Sequence, residues 1–268
     1  MSELNQEGPH QDRLVEKMRD EWDQRARENA RHFVATEKTD WTDEEFFASG
    51  EEAVANHIRT DMINICQGKD PKRMKVLEIG CGAGRVTRAL ANLFGTVYAV
   101  DISGEMVARA REALAGVDNV VIEQNNGRDL SVLGDIKVDF AFSYIVFQHV
   151  PSKAVIESYV REVYRVLRFG GLFKFQVQGD FPKFQLEPDW TLDEVDADSW
   201  IGVPFTDNDA VDLALRCGFE PRHRHGAGQQ EFWLWYFRRW EWATHAVHFL
   251  RRCSQYLRIR WETWRRSS

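Results

Sequence analysis

Three glycines, an acid two residues before them and a second acid further on are the residues of this sequence best suited to chemistry. Glu78-Ile79-Gly80-Cys81-Gly82-Ala83-Gly84 follows the apolar pair Val76-Leu77 and precedes the helical pattern that starts Arg85-Val86-Thr87-Arg88-Ala89-Leu90. Strand, glycine turn and helix together build a nucleotide site. Glycines let the backbone approach a ligand closely, and a helix N-terminus offers free N–H donors. A second apolar run, Thr96-Val97-Tyr98-Ala99-Val100, ends in Asp101. An acid at the end of strand two, about 20 residues past the glycines, is placed to take the paired hydroxyls of a ribose. Arg85 stands where a dinucleotide fingerprint requires Gly or Ala. Glu78 is a poor neighbour for a pyrophosphate and suits a cationic ligand.

The stretch resembles motif I (E/D-x-G-x-G-x-G) of the class I S-adenosylmethionine-dependent methyltransferases, and the resemblance spans roughly residues 72–238. It implies S-adenosyl-L-methionine as cofactor and S-adenosyl-L-homocysteine as product. Glu78, Gly80, Cys81, Gly82 and Gly84 are then expected to hold the amino-acid portion, Asp101 the ribose, and Ile102 and Met106 the adenine. The family commonly has an acid after strand three that bonds the adenine amino group. Asn126, followed by Gly127, stands there in this chain, and an amide oxygen accepts the same bond.

The segment from Ser143 and Tyr144 to His149 and Pro151 matches the family's stretch beside the methyl donor. It is not the N/D-P-P-Y/F signature of enzymes that methylate a base or glutamine nitrogen. No acid sits at this strand end, so no metal site is expected. His149 is the residue there able to act as a base near neutral pH. The other reading of His149 is a ring bonded to backbone where the next helix starts. The function implied is methyl transfer to an oxygen or nitrogen of a small-molecule, glycan-linked or lipid-linked acceptor. The alternative is a non-catalytic S-adenosylmethionine-binding partner or sensor. An NAD-linked oxidoreductase is disfavoured by Arg85 and by the two strands at the end of the domain.

The elements that must position these residues alternate strand and helix, which predicts an α/β fold: a doubly wound, seven-stranded, mostly parallel sheet. Leu14, Met18, Trp22, Ala26 and Ala30 recur every four residues and predict a helix over 12–35. Ser49, followed by Glu51 and Glu52, reads as the N-cap of a second helix that runs to Gln67. Strands are expected at 119–123, 137–143 and 172–177. A helix over 151–168 is expected to break at Gly170-Gly171. A helix over 206–217 precedes strands 219–225 and 231–237, whose short Gly-Ala-Gly turn permits only an antiparallel pair. Residues 1–71 then form an N-terminal helical lid, with Trp22, Arg25 and Trp41 as its working residues. Residues 72–238 form the Rossmann-like domain. Within it, 178–205 is the substrate connector, rich in aromatics that include Trp200.

The sequence has 268 residues, 43% hydrophobic and 29% charged, as in a globular protein. The net charge of −7 does not favour a nucleic acid partner. The charge is uneven: from Arg238 onward eight arginines face two acids, with Trp240, Trp242, Phe249, Trp261 and Trp264 among them. This basic, Trp-rich segment, 239–268, is read as a terminal helix packed on the domain or as a peripheral membrane contact. A monomer or homodimer is expected. Four scattered cysteines and a polar start over 1–11 are read as a cytoplasmic chain without a signal peptide.

Overall fold

The computed structural model describes residues 7–180, 200 and 202–240. Most of the basic C-terminal segment and residues 181–199 of the connector lie outside the described residues. The sheet has seven strands: β1 (Lys75–Ile79), β2 (Thr96–Asp101), β3 (Val120–Gln124), β4 (Val138–Ser143), β5 (Leu167–Gln178), β6 (Glu220–His225) and β7 (Glu231–Phe237). Their order is β3-β2-β1-β4-β5-β7-β6. β1 to β5 pair in parallel, and β7 runs antiparallel between β5 and β6. β1 and β4 are buried on both faces, which is why Val76-Leu77 and Phe140-Ala141-Phe142 read as apolar runs without alternation. The strand order reverses between β1 and β4, and ligands of open parallel sheets bind at the carboxyl ends beside such a reversal.

Helices cover both faces. They are α1 (Glu7–Val34), α2 (Asp43–His57), α3 (Met62–Cys66), α4 (Arg85–Leu93), α5 (Gly104–Ala113), α6 (Lys153–Val166) and α7 (Asp207–Arg216). α6 buries Val155, Ile156, Tyr159, Val160 and Val163, a stripe with helical period. α1 is two helical pieces rather than one, because Asn29 is extended (φ −164°). Its side-chain oxygen accepts from His32 N–H, so Asn29 caps the second piece.

Two boundaries differ from the sequence reading. α2 starts six residues before Ser49, at the capping box of Thr42 and Glu45. Ser49 is inside the helix, its hydroxyl donating to Phe46 O. α2 ends at His57, and α3 stops at Gln67, which is left-handed (φ 50°). Gly170-Gly171 does not separate helix from strand. α6 ends at Val166, and β5 already runs through Gly170, where its register with β4 jumps from Val138↔Leu167 to Phe140↔Leu172.

One buried carboxylate ties this region to the start of β1. Asp139 on β4, its side chain 1% exposed, accepts from Lys69 Nζ (2.6 Å), Arg168 Nη1 (2.9 Å) and Lys75 N–H (2.9 Å). Each partner comes from a different element. Asp139→Ala is expected to cost about 2–3 kcal/mol, the value of charge-assisted hydrogen bonds whose cations can return to water. Urea unfolding with an unchanged m-value measures it; a loss near zero would remove Asp139 from this role.

Candidate functional site

One pocket lies at the carboxyl ends of β1, β2 and β4. Its floor is Glu78, Gly80, Cys81 and Gly82; Asp101, Ile102, Met106 and Asn125 form one side. Trp22, Phe33, Arg85, Tyr144 and His149 form the other.

The floor is glycine because other elements press on it. Gly80 (φ 75°) lies against Val146, and a Cβ there would sit 2.2 Å from Val146 Cγ2. Gly82 (φ 51°) lies against Val34, with only 2.6 Å for a Cβ. Both the post-β4 segment and the end of α1 therefore close directly on the turn. Gly84 caps α4 and does not line the pocket. Cys81 is buried, with its Sγ against Gly82 O.

Asp101 organises the junction. One carboxylate oxygen accepts Gly82 N–H (2.8 Å) and the other Ser103 N–H (2.9 Å). Burial pushes its carboxyl up to about 6 despite these bonds. Ser103 in turn caps α5 and donates to Asp23 of α1 (2.6 Å), which also accepts Glu105 N–H. This holds α1 beside the Ile102 and Met106 end of the pocket. Glu78 accepts from Thr87 Oγ1 (2.6 Å). Burial pushes Glu78 up to about 7, against the pull of the Thr87 bond and the Arg85 charge.

Asn125 lies where an adenine contact is wanted, and the sequence reading missed it. It is buried, its Nδ2 donates to Tyr159 Oη (2.7 Å), and its Oδ1 has no hydrogen-bond partner. An orphaned buried acceptor in a ligand pocket is a ready partner for an amino group. Asn126 is exposed instead. Its Oδ1 accepts from the N–H groups of Arg128 and Asp129, an Asx turn that occupies the acceptor oxygen an adenine amino group would need. Gly127 packs under Ile102 and Val15, outside the pocket. The resemblance could not separate neighbours of the same type; burial does.

Ser143 is buried and donates to Ile79 O (3.0 Å), strapping β4 to β1, while Tyr144 reaches the pocket. Ile145 is left-handed (φ 57°), a strained state for a β-branched residue. A relay holds it. Buried Gln176 on β5 accepts Ile145 N–H (3.3 Å) and donates to Gln148 Oε1 (2.6 Å). Gln148 Nε2 meets His149 Nε2 (3.2 Å), and His149 Nδ1 meets Trp200 O (2.6 Å). A carbonyl only accepts, so Nδ1 carries the proton and Nε2 accepts from Gln148. The lone pair that a general base needs is thus engaged, and the ring is bonded to backbone, as in the second reading of His149.

Trp22, Arg25 and Trp200 come together on this wall. The Arg25 guanidinium lies 5.0 Å from the Trp22 ring and 5.4 Å from that of Trp200, and His149 packs between both indoles. Trp41 does not join them. Its indole N–H donates to Ala35 O and its ring packs on Phe46, fastening the turn before α2.

The orphan amide, the two buried carboxyls and the glycine floor fit the adenine, ribose and ammonium groups of S-adenosylmethionine. Neutral Glu78 gives a cation little, so affinity for S-adenosylhomocysteine should rise about tenfold from about pH 6 to about pH 8. Glu78→Gln should remove most of that slope in calorimetry; an unaltered slope would take Glu78 out of the amino-acid end. Ligand-free stability runs the other way. These carboxyls keep protons in the fold that the unfolded chain releases near pH ~4. Stability is full below that pH and falls as pH rises through about 6 to about 7.

Residues 77–175 match the family model described as a methyltransferase domain. YqeM of Bacillus subtilis is 24% identical over 149 residues, 53% of this chain and 58% of that protein. The malonyl-[acyl-carrier protein] O-methyltransferase of Pectobacterium atrosepticum is 31% identical over 117 residues, 44% of each chain. The chain thus spans about half the length of these curated relatives. Among solved structures, the magnesium protoporphyrin IX methyltransferase of Synechocystis, with bound S-adenosylhomocysteine, superposes with a TM-score of 0.57 at 17% identity, over 82% of this chain and 97% of that one. With its domain match over 77–175, its sheet order and its glycine turn, the chain is similar to the class I S-adenosylmethionine-dependent methyltransferases.

Proposed function

We propose that this chain transfers a methyl group from S-adenosylmethionine to an oxygen or nitrogen of a small-molecule, glycan-linked or lipid-linked acceptor. The observation that carries this reading is the two-sided pocket. One side meets the needs of the cofactor, which leaves Trp22 and Tyr144 of the lining, with Trp200 packed on Trp22, for an acceptor. Bound there, the cofactor supplies a methyl group on a positively charged sulfur. The chain's residues have to orient the acceptor in line with that methyl and keep water out. Trp22 and Trp200, locked by Arg25 and His149, offer a rigid apolar surface for the first task. Val34 and Val146, pressed on the glycine turn, serve the second.

The acidic balance of the chain and the absence of N/D-P-P-Y/F support an acceptor other than DNA or RNA. The name of the malonyl-carrying relative supports oxygen as the acceptor atom. The direct experiment incubates the full chain with methyl-labelled S-adenosylmethionine and fractions of a cell extract. Label should enter a small-molecule, glycan or lipid fraction, with S-adenosylhomocysteine formed in step. Binding without turnover would favour a sensor, and salt-sensitive label in RNA would overturn the acceptor class.

His149 is a positioning residue in this reading, fixing the post-β4 segment to Trp200. His149→Gln keeps a donor for the Trp200 carbonyl and should retain most turnover, with no rise through the ordinary histidine pKa of about 6.5. His149→Ala should lose about 1–3 kcal/mol of stability, since the Gln148 amide and the Trp200 carbonyl are left unpaired. A loss of about 10²–10⁴-fold in both variants at full stability would instead make His149 the general base.

A further inference from the structure

Arg85 opens α4 immediately after the glycine turn and lines the pocket beside Tyr144, its guanidinium carbon 5.9 Å from that ring. It is 6% exposed. A guanidinium stays ionised at any pH the protein meets, and burying one without a counter-ion is costly. Yet Nε has no hydrogen-bond partner, and Nη1 reaches only Ser49 O and Oγ, at 3.5 and 3.4 Å. Among the described residues Arg85 forms no salt bridge; the acids that act on it, Glu37 and Glu78, do so from longer range, and Glu78 is bonded to Thr87. A planar fork of donors, buried, with Nε unbonded and no ion pair among the described residues, facing a pocket, matches a carboxylate.

A second observation points the same way. An acceptor hydroxyl or ammonium has to lose a proton, and the histidine beside the acceptor wall has both ring nitrogens engaged. A carboxylate needs no base.

We propose that the acceptor is a carboxylic acid, received by Arg85 at the Tyr144 end of the pocket and methylated on a carboxylate oxygen. This rests on the methyl-transfer reading above. The oxygen forms a bond to the methyl carbon as the carbon–sulfur bond breaks, and the sulfur keeps the electron pair. The carboxylate and sulfonium charges vanish together, leaving a methyl ester and S-adenosylhomocysteine, with no proton transferred. One arm of the guanidinium fork fixes the carboxylate plane, and Tyr144 limits how the acid can turn.

The test uses the full chain with labelled S-adenosylmethionine. Acceptors are the small-molecule fraction of a cell extract and a panel of aliphatic and aryl carboxylic acids with their matching primary amides. Acids and not amides should be methylated, and mild alkali should release the label as volatile methanol. Arg85→Gln should lower kcat/KM for the acid about 100-fold, the cost of truncating one side of a buried charge pair, with Arg85→Lys recovering part of it. S-adenosylhomocysteine affinity by calorimetry should stay near the parent value in both variants, which also shows that they are folded. Alkali-stable label would overturn the carboxylic acid while leaving methyl transfer intact. A fall in S-adenosylhomocysteine affinity in step with kcat/KM would assign Arg85 to the cofactor's own carboxylate and overturn the proposal. No label in any fraction, with S-adenosylhomocysteine still bound, would sink the methyl-transfer reading itself.

Discussion

The buried carboxylate of Asp101 is the constraint on which the site depends. It bridges two backbone N–H groups, Gly82 after β1 and Ser103 at the start of α5. An ionised carboxylate in an apolar interior is expensive unless it is bonded, and each bond here also fixes a turn. Through Ser103 and Asp23 the same network reaches α1. One side chain thereby sets the glycine floor, the adenosine side and the position of the helix over both.

The opposite wall has its own restraint, and it is neutral. Gln176, Gln148 and His149 form a row of amide and imidazole bonds from β5 to the backbone of Trp200. The row holds Ile145 in a backbone state that such a residue avoids. Carboxyls beside the glycine turn and neutral bonds along the post-β4 segment give the pocket an uneven electrostatic character. Carboxyls with raised affinity for protons lie near the glycines, and a guanidinium whose Nε has no partner lies near Tyr144. The positive end is where an anion gains most, since low local dielectric strengthens whatever pairing it makes.

Below the site, the sheet is held by packing that the site shares only through Tyr144. Phe142, Tyr144 and Trp233 stack across β4 and β7, and His57 stacks on Trp233. Tyr144 belongs to both sets. It ends the aromatic stack and faces the pocket, so the antiparallel β7 supports the acceptor end although it carries none of the pocket's residues. Lys174 fills the same face, its ammonium between the rings of Trp233 and Trp235 and bonded to His57 O.

By itself the sequence determined the fold class, the glycine turn, Asp101, and the antiparallel end of the sheet. Those features rest on local rules: apolar runs, glycine where φ is positive, a turn too short for a crossover. It also singled out Trp22, Arg25, Trp200 and His149, which the fold brings together, though not their contacts. It misplaced the start of α2, because the Thr42–Glu45 capping box lies outside the apolar pattern used to find the helix. Tertiary structure alone decided between Asn125 and Asn126, since adjacent identical side chains on a turn differ only in which one the fold buries. It alone sent Trp41 to the turn before α2 and Ser143 to a strap between strands. It alone showed Arg85 to be buried without a counter-ion among the described residues. A residue's partners come from elements tens of residues away in the chain, and local patterns hold no record of which groups those elements leave unpaired.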